Sequence, residues 1–274
     1  MRYIDISEWQ GTIDFAKVKP NVAGIMLRAG YGKNHIDKRF KEYASECNRL
    51  NIPIGAYWFS YAKTTAEAKA EAHYLLEAVK PFRIELPLAY DFEDDSVANA
   101  KKSGVIIMRS MASEFTYAFC TEIENGGYWC LNYTNPSFIK NYLTDAVVSR
   151  FGLWLAQWPV TVNLTKPPRQ CAIWQWTSKG TIAGINGNVD VDESYQDFRA
   201  IIKAAGLNHL NEYKEDDGGT IYEYTQSKPK TDTKQDALKW AQGYQITDDA
   251  DFAYALWKYH NTFHKDGGSN AEQQ

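Results

Sequence analysis

Up to residue 205, short apolar runs alternate with segments in which apolar positions recur at helical spacing. The apolar runs have the length and composition of buried strands. They lie at 3–7, 24–30, 52–62, 85–93, 128–134, 153–159, 171–177 and 187–194. Thr64 followed by Glu67 has the spacing of a capping box and predicts a helix over 64–79. Further helices are predicted at roughly 97–123 and 195–205.

This alternation predicts an α/β fold. Strands separated by helices pair in parallel through right-handed crossovers, and about eight of them in some 205 residues fit a closed barrel. The links between the later strands are too short for a full helix each. We therefore expect an irregular TIM-like β/α barrel with about eight strands and five main helices. A doubly wound open sheet is the alternative.

The pattern changes after Gly206, which predicts a second unit. Residues 1–205 form the predicted barrel, and 206–274 form a small C-terminal α+β domain that includes a linker and a frayed tail. Residues 207–274 hold seven Lys or Arg against twelve Asp or Glu, whereas the rest of the chain is almost balanced. Such a shift indicates a unit with its own surface chemistry. Its small size requires docking, self-association or tight helix packing, so homo-oligomerisation through this domain is one possibility.

Composition excludes several classes of protein. Hydrophobic residues make up 44% and charged residues 23%, which favours a packed core over disorder. A net charge of −4 without a basic stretch argues against a nucleic-acid partner. The first residues lack the apolar segment of a signal peptide, and no window is long and apolar enough for membrane insertion. The four cysteines show no zinc-site spacing.

Carboxylates cluster where strands are predicted to end. Asp91 and Glu93 end the fourth strand, Asp5 lies near the end of the first, and Asp190 and Asp192 end the last. In a β/α barrel, strand ends form the reactive face. Three strands therefore deliver acids to one rim.

Asp91 and Glu93 have the spacing of a catalytic pair. Side chains two apart on a strand share a face, here with Cα atoms roughly 6.6 Å apart, and Phe92 faces away. Repulsion within the pair raises the pKa of the more enclosed carboxyl. Glu93, with the longer arm, is the better general acid, and Asp91 is expected to stay ionised.

Several of these acids also have purely structural interpretations. Asp94 and Asp95 are expected to be exposed helix caps. For Asp5, a structural salt bridge to Arg28 fits the sequence as well as a role in the site does. Asp192 has the position of a helix start, so Asp190 is the stronger site candidate of the two.

Six segments, in order, resemble the glycoside hydrolase family 25 lysozymes, the Chalaropsis-type N-acetylmuramidases common among bacteriophage endolysins. They read DISEWQGTIDFAKVK, GIMLRAGYG, NIPIGAYWFSYA, AYDFED, LWLAQWP and AIWQWTSKGTIAGINGNVDVD. The resemblance implies a barrel with an acidic groove that cleaves the β-1,4 bond between N-acetylmuramic acid and N-acetylglucosamine. It implies Glu93 as proton donor, Asp91 as its partner, and Asp5 and Asp190 as further catalytic residues. Asp192 departs from the family, which commonly has Asn there.

The resemblance also suggests groove residues and a partner. Tyr57, Tyr133, Trp158 and Gln175 are expected to bind substrate, whereas Phe59 is expected in the core. Retention with participation of the substrate N-acetyl group is favoured over direct attack by Asp91. Bacterial peptidoglycan is the expected partner, with no cofactor and no metal. The rivals are a non-hydrolytic sugar-binding barrel and a metal-dependent phosphodiesterase.

For the C-terminal unit, endolysin layout suggests a cell-wall-binding, targeting role. The missing signal peptide agrees with accumulation in the host cytoplasm before release to the wall.

Overall fold

The computed structural model describes residues 1–210, and the predictions for 211–274 lie outside these residues. The strands are β1 Arg2–Ile6, β2 Gly24–Tyr31, β3 His35–Ile36, β4 Ile54–Phe59, β5 Leu88–Asp91, β6 Cys130–Thr134, β7 Gly152–Ala156, β8 Ile173–Gly180 and β9 Val189–Ser194. The helices are α1 Phe15–Val18, α2 Phe40–Arg49, α3 Thr65–Val79, α4 Asp94–Lys102, α5 Arg109–Asn125, α6 Pro136–Tyr142, α7 Asp145–Arg150 and α8 Phe198–Ala205. Short 3₁₀ turns lie at Glu8–Gln10 and Lys19–Asn21.

Eight strands form a barrel in the order β1-β9-β8-β7-β6-β5-β4-β2. The barrel is closed because β1 also pairs with β2. β3 is a short antiparallel addition at the edge of β2. The predicted barrel is therefore confirmed, and the open sheet is not the fold. Strands β1, β2 and β4–β8 are parallel to one another. Strand β9 is antiparallel to both of its neighbours, β8 and β1.

The helices differ from the prediction mainly in their bounds. α3 begins after Thr64, whose hydroxyl accepts a hydrogen bond from the Glu67 amide, as predicted. The single helix expected over 97–123 is two helices, α4 and α5, separated by a turn in which Gly104 has a φ of +79°. Helices α2, α6 and α7 were not placed from the sequence, although five helices within residues 1–210 have eight or more residues, in agreement with the five main helices expected. α6 and α7 are only seven and six residues long, which leaves little periodicity to detect.

Strand alternation divides the core into two layers. Outward-facing side chains such as Ile4, Leu27 and Tyr90 pack under the helices in a large apolar cluster. Inward-facing side chains form a smaller cluster that fills the lower barrel. Its buried members are Tyr3, Met26, Leu86, Ala89, Leu131, Trp154, Ala172, Ile173, Phe198 and Ile202. Phe198 and Ile202 belong to α8, so this helix closes the bottom and leaves the polar upper end open.

Residues just beyond the predicted barrel boundary also pack on the barrel. Gly206 ends α8 in the left-handed conformation. The buried Asn208 side chain then donates to the carbonyls of Ile84 and Leu86 at 3.1 and 2.9 Å and accepts from the Trp129 amide at 2.9 Å. No helix within residues 1–210 is long and apolar enough to cross a membrane.

Candidate active site

A cleft of about 340 Å³ opens at the C-terminal ends of the parallel strands. Its lining residues are Asp5, Arg28, Tyr57, Phe59, Asp91, Glu93, Tyr133, Trp154, Trp158, Gln175, Ser178 and Asp190. All eight residues proposed from the sequence as catalytic or substrate-binding are among them. A cleft of this size with convergent polar groups is a typical binding site for a small molecule or a polymer segment.

Asp91 and Glu93 reach the cleft through different elements. Asp91 is the last residue of β5, and Glu93 is the N-cap of α4 with extended backbone angles. Extended geometry through Glu93 preserves the alternation, so Phe92 faces outward and packs on Phe115 and Phe138. The predicted shared face is therefore observed. Asp94 lies in the exposed first turn of α4, as does Asp95, so neither is the cap itself.

Burial, rather than mutual repulsion, is the main influence on both carboxyls. Burial raises the pKa of Glu93 to about 7, and the charges of Asp95 and Asp94 contribute less. Asp91 is more deeply buried than Glu93. Its burial, and to a smaller extent the charge of Glu93, raise the pKa of Asp91 well above the usual range. The positive charge of Arg28 lowers this pKa. The more enclosed carboxyl is therefore Asp91. This differs from the expectation that Asp91 stays ionised while only Glu93 retains its proton.

A hydrogen-bond chain fixes Asp5 on the cleft floor. Tyr133 Oη and Trp158 Nε1 both bond to Gln175 Oε1, each at 3.2 Å. An indole N–H can only donate, so this oxygen is an acceptor and the Gln175 amide has one orientation. Gln175 Nε2 then donates to Asp5 Oδ2 at 2.8 Å. Three of the proposed groove residues thus also hold a proposed catalytic carboxyl.

Asp190 enters the cleft from a strand that runs in the opposite direction. It was expected at the end of the last strand, but it is the second residue of β9 and pairs with Asp5. An antiparallel strand brings its beginning, rather than its end, to this rim. Burial raises the pKa of Asp190 to about 6. Asp192 lies two residues further into the barrel and is a strand residue, not a helix start.

The structure places Arg28 and Phe59 differently from what the sequence predicted. The Arg28 guanidinium pairs with Asp37 at 2.8 Å and Glu8 at 3.2 Å, so the structure gives it other partners than the suggested Asp5. Phe59 is half-buried and lines the cleft rather than the core.

Four cleft residues were not proposed from the sequence as catalytic or substrate-binding, namely Arg28, Phe59, Trp154 and Ser178. The position of Arg28 on β2, beside the strand that carries Asp5, is a signal that could have suggested it as a cleft residue. Within residues 1–210, no group of three or more His, Cys, Asp or Glu side chains has an arrangement that could hold a metal ion.

Comparison with known proteins agrees with this barrel fold. The model for glycosyl hydrolases family 25 matches residues 4–185, so the chain belongs to this family of glycoside hydrolases. The matched range contains most of β1, all of β2–β8 and most of the cleft residues, including Asp5, Asp91 and Glu93.

Two curated relatives are lysozymes. The autolytic lysozyme of Clostridium acetobutylicum is 25% identical over 203 residues, covering 70% of this chain and 55% of that protein. Lysozyme M1 of Streptomyces globisporus is 24% identical over 196 residues, covering 68% of this chain and 65% of that protein. The chain therefore matches only about half to two thirds of the length of these relatives.

Solved structures share the barrel. The modular autolysin LytC of Streptococcus pneumoniae, in complex with a synthetic peptidoglycan ligand, is 26% identical with a TM-score of 0.62, and the match covers 70% of this chain and 46% of LytC. The CTP1L endolysin is 25% identical with a TM-score of 0.58, over 74% of this chain and 69% of that one.

Proposed function

We propose that this protein hydrolyses peptidoglycan as a lysozyme, cleaving the β-1,4 bond between N-acetylmuramic acid and N-acetylglucosamine. The observation that carries the proposal is the position of Glu93 at the mouth of a carboxylate-lined cleft, where burial raises its pKa to about 7. A carboxyl that keeps its proton near neutral pH can protonate a glycosidic oxygen as the bond breaks. Family membership and the lysozyme relatives support the same reaction.

Asp91 is the proposed partner of Glu93. As the bond breaks, positive charge develops on the sugar ring, and a carboxyl beneath the ring can stabilise it or orient the substrate N-acetyl oxygen that attacks it. Arg28 lies in the same cleft and favours the ionised form of Asp91. Asp5 and Asp190, which pair across β1 and β9, shape the electrostatic field of the cleft and hold the 2-acetamido group. We favour retention with participation of the substrate.

The cleft walls suit a polysaccharide. Trp158 is 58% exposed at the rim, Tyr57 and Tyr133 line the interior, and Gln175 is held by three hydrogen bonds. Flat apolar faces combined with fixed polar groups are suited to sugar rings. Bacterial peptidoglycan is therefore the proposed partner. Wall binding by the C-terminal domain, and accumulation in a host cytoplasm, remain part of this endolysin proposal.

The test is digestion of purified peptidoglycan, followed by mass spectrometry of the reduced fragments. A reducing-end N-acetylmuramic acid is expected, and it distinguishes a muramidase from a glucosaminidase or an amidase. Glu93→Gln, which keeps the size of the side chain, should abolish fragment release with an unchanged fold. Glu77→Gln, on the exposed face of α3, is the matched control and should digest normally.

Each rival function predicts a different outcome of this digestion. Binding of glycan strands without fragments from the native protein would indicate a sugar-binding barrel. Loss of activity in a chelator would indicate a metal-dependent phosphodiesterase. Comparable digestion by Glu93→Gln would refute the assignment of the acid.

A further inference from the structure

The Asp91 carboxyl is placed in the cleft mainly through its backbone. Asp91 is 5% exposed, and within residues 1–210 its Oδ1 is buried without a hydrogen-bond partner. The Asp91 carbonyl, by contrast, accepts a hydrogen bond from the Ser60 amide at 2.8 Å. Ser60 is the residue directly after β4. The position of the Asp91 carboxyl therefore depends on what holds Ser60.

Ser60 connects three segments of the chain on the outer side of the barrel wall. Its side chain is fully buried, and Ser60 Oγ lies 2.9 Å from Tyr90 Oη, on the residue before Asp91. Ser60 Oγ also bonds to the Glu71 carboxyl of α3 and accepts from the Ala62 amide at 3.1 Å. The loop that follows β4 is thus tied both to α3 and to β5.

These bonds use the full capacity of the Ser60 hydroxyl, which can donate one hydrogen bond and accept two. When Glu71 is ionised, Ser60 donates to it and accepts from the Tyr90 hydroxyl. When Glu71 carries a proton, Glu71 donates to Ser60 and Ser60 donates to Tyr90. The Ala62 amide donates to Ser60 in both cases. The connection therefore does not depend on the charge of Glu71.

The connection lies where two strands end beside the cleft. β4 ends at Phe59 and β5 ends at Asp91, and these two residues pair across the sheet. Beyond them one segment leads to α3 and the other to α4. Ser60 holds the two segments together at the point where they separate. Phe59 and Asp91 both line the cleft, so the same connection fixes two of its residues.

We propose that Ser60 is a positioning residue for hydrolysis, which links Glu71 to the end of β5 and so fixes the Asp91 carboxyl beneath the sugar ring. A buried polar network in which every group has a partner is rigid. Rigidity matters here because a displacement of about 1 Å can lower a rate about a hundredfold. The effect on catalysis rests on the proposed hydrolase function, whereas the hydrogen bonds themselves do not.

The first test compares catalysis with stability. Ser60→Ala removes the side-chain bonds and keeps the amide that donates to Asp91. We expect kcat for soluble glycan fragments to fall at least about tenfold and KM to change less than about twofold, because the groove surfaces remain. Asn208→Ala is the control, since it removes buried hydrogen bonds at the opposite end of the barrel. It should lower the melting temperature and keep the native kcat.

The second test is rescue at Glu71. Glu71→Leu removes the bonds from α3 and should lower kcat as Ser60→Ala does. Glu71→Gln keeps an oxygen for the Tyr61 amide, which Glu71 Oε1 accepts at 2.9 Å, and offers an N–H to Ser60 Oγ. Its kcat should therefore stay within about twofold of the native value. Equal loss of kcat in the Leu and Gln variants would overturn the inference.

Tyr90→Phe is a milder variant that decides the question if Ser60→Ala does not fold. It keeps the packing of the ring on Phe119 and removes one bond to Ser60. Its kcat should fall, and its KM should not change. Native kcat values in both Tyr90→Phe and Glu71→Leu would contradict the proposal.

Hydrogen exchange of the Ser60 amide, followed by NMR, tests the connection without substrate. This amide donates to the Asp91 carbonyl, so its exchange should be at least about tenfold faster in Glu71→Leu than in the native protein. The Trp129 amide, which donates to Asn208 at the opposite end of the barrel, is the internal reference and should exchange at an unchanged rate. An equal change at both amides, or no change at Ser60, would overturn the inference.

These outcomes separate the two proposals. A lowered melting temperature with native kcat in Ser60→Ala would mean that Ser60 acts only on stability. Faster exchange of the Ser60 amide in Glu71→Leu, together with a native protein that releases no peptidoglycan fragments, would refute the hydrolase function. The link from Glu71 to the Asp91 backbone would then still stand.

Discussion

Asp91 ends strand β5 and Glu93 caps helix α4, so a connection of one residue, Phe92, holds both carboxyls at the cleft. The Asp91 carbonyl accepts a hydrogen bond from the Ser60 amide at 2.8 Å, which ties the strand end to the end of β4. On the helix side, the Glu93 amide donates to Ser96 Oγ at 3.2 Å. The pair is therefore positioned by two rigid elements rather than by a loop.

The pH dependence of hydrolysis should follow Glu93. With a pKa of about 7, Glu93 carries its proton below that pH and loses it above, so kcat/KM should fall as pH rises through 7. Asp95→Asn removes the neighbouring charge that raises this pKa most and should move the fall to lower pH, by less than about one unit because Asp95 is exposed. The shift should shrink in high salt. Asp145→Asn, also an exposed first-turn residue, should leave the profile unchanged.

Trp158 should matter for binding and little for stability. Its indole is 58% exposed at the cleft rim, so Trp158→Ala should change the free energy of unfolding by less than about 0.5 kcal/mol. KM for soluble glycan fragments should rise about tenfold because a stacking surface is lost. Trp158→Phe keeps a ring but loses the donor to Gln175, so its KM should fall between those of the native protein and Trp158→Ala.

Trp9 provides the matched control for Trp158. It is 79% exposed and is not among the residues that line the cleft. Trp9→Ala should leave KM unchanged. An equal increase in KM for the two alanine variants would mean that general surface adsorption, rather than the cleft, is being measured.

Glu71 on α3, a buried acid outside the cleft, should make stability depend on pH. It is 3% exposed, accepts from the Tyr61 amide and bonds to Ser60 Oγ, and burial raises its pKa to about 7. The folded protein keeps this proton over a pH range in which the unfolded chain loses it, so stability falls as pH rises toward and through 7. Glu71→Gln should be more stable than the native protein at about pH 8, by up to about 3 kcal/mol, and should lose this advantage near pH 4.

Urea unfolding at several pH values checks the Glu71 prediction. Glu77→Gln, on the exposed face of the same helix, should show a difference from the native protein that does not vary with pH. A constant loss of stability in Glu71→Gln would mean that the side chain acts through its hydrogen bonds alone.

Asn208 should be important for stability although it lies past the predicted barrel boundary. Its amide satisfies the carbonyls of Ile84 and Leu86 and the Trp129 amide. Asn208→Ala leaves these buried groups without partners and should cost about 3 kcal/mol of unfolding free energy, at roughly 1 kcal/mol for each bond. Urea unfolding measures this loss, and Asn141→Ala, on the exposed face of α6, should cost little. A small loss in Asn208→Ala would argue that the barrel unit ends before residue 206.

The sequence predicted the elements whose signals are local. Apolar runs marked the barrel strands, and Thr64 with Glu67 marked the start of α3. The DxE at Asp91 and Glu93 predicted a shared face because alternation depends only on extended backbone, which continues to Glu93. These residues required no knowledge of distant contacts.

Predictions failed where the outcome depended on partners elsewhere in the chain. The direction of β9 is set by its pairing with β8 and β1, so Asp190 lies at the beginning of its strand instead of the end. Arg28 pairs with Glu8 and Asp37, which come from a turn and a loop whose positions the sequence does not reveal. The burial of Asp91 depends on the surrounding barrel wall, and a sequence pattern contains no measure of it.

The antiparallel strand β9 also determines when the acidic floor of the cleft can form during synthesis. Asp5 lies on the first strand of the barrel, and its partner Asp190 lies on the last. A nascent chain on the ribosome therefore cannot bring these two carboxyls together until β9 has emerged. Until then β1 and β8 each have an unpaired edge, which other strands could join. A chain interrupted before β9 should have neither a closed barrel nor a complete acidic floor.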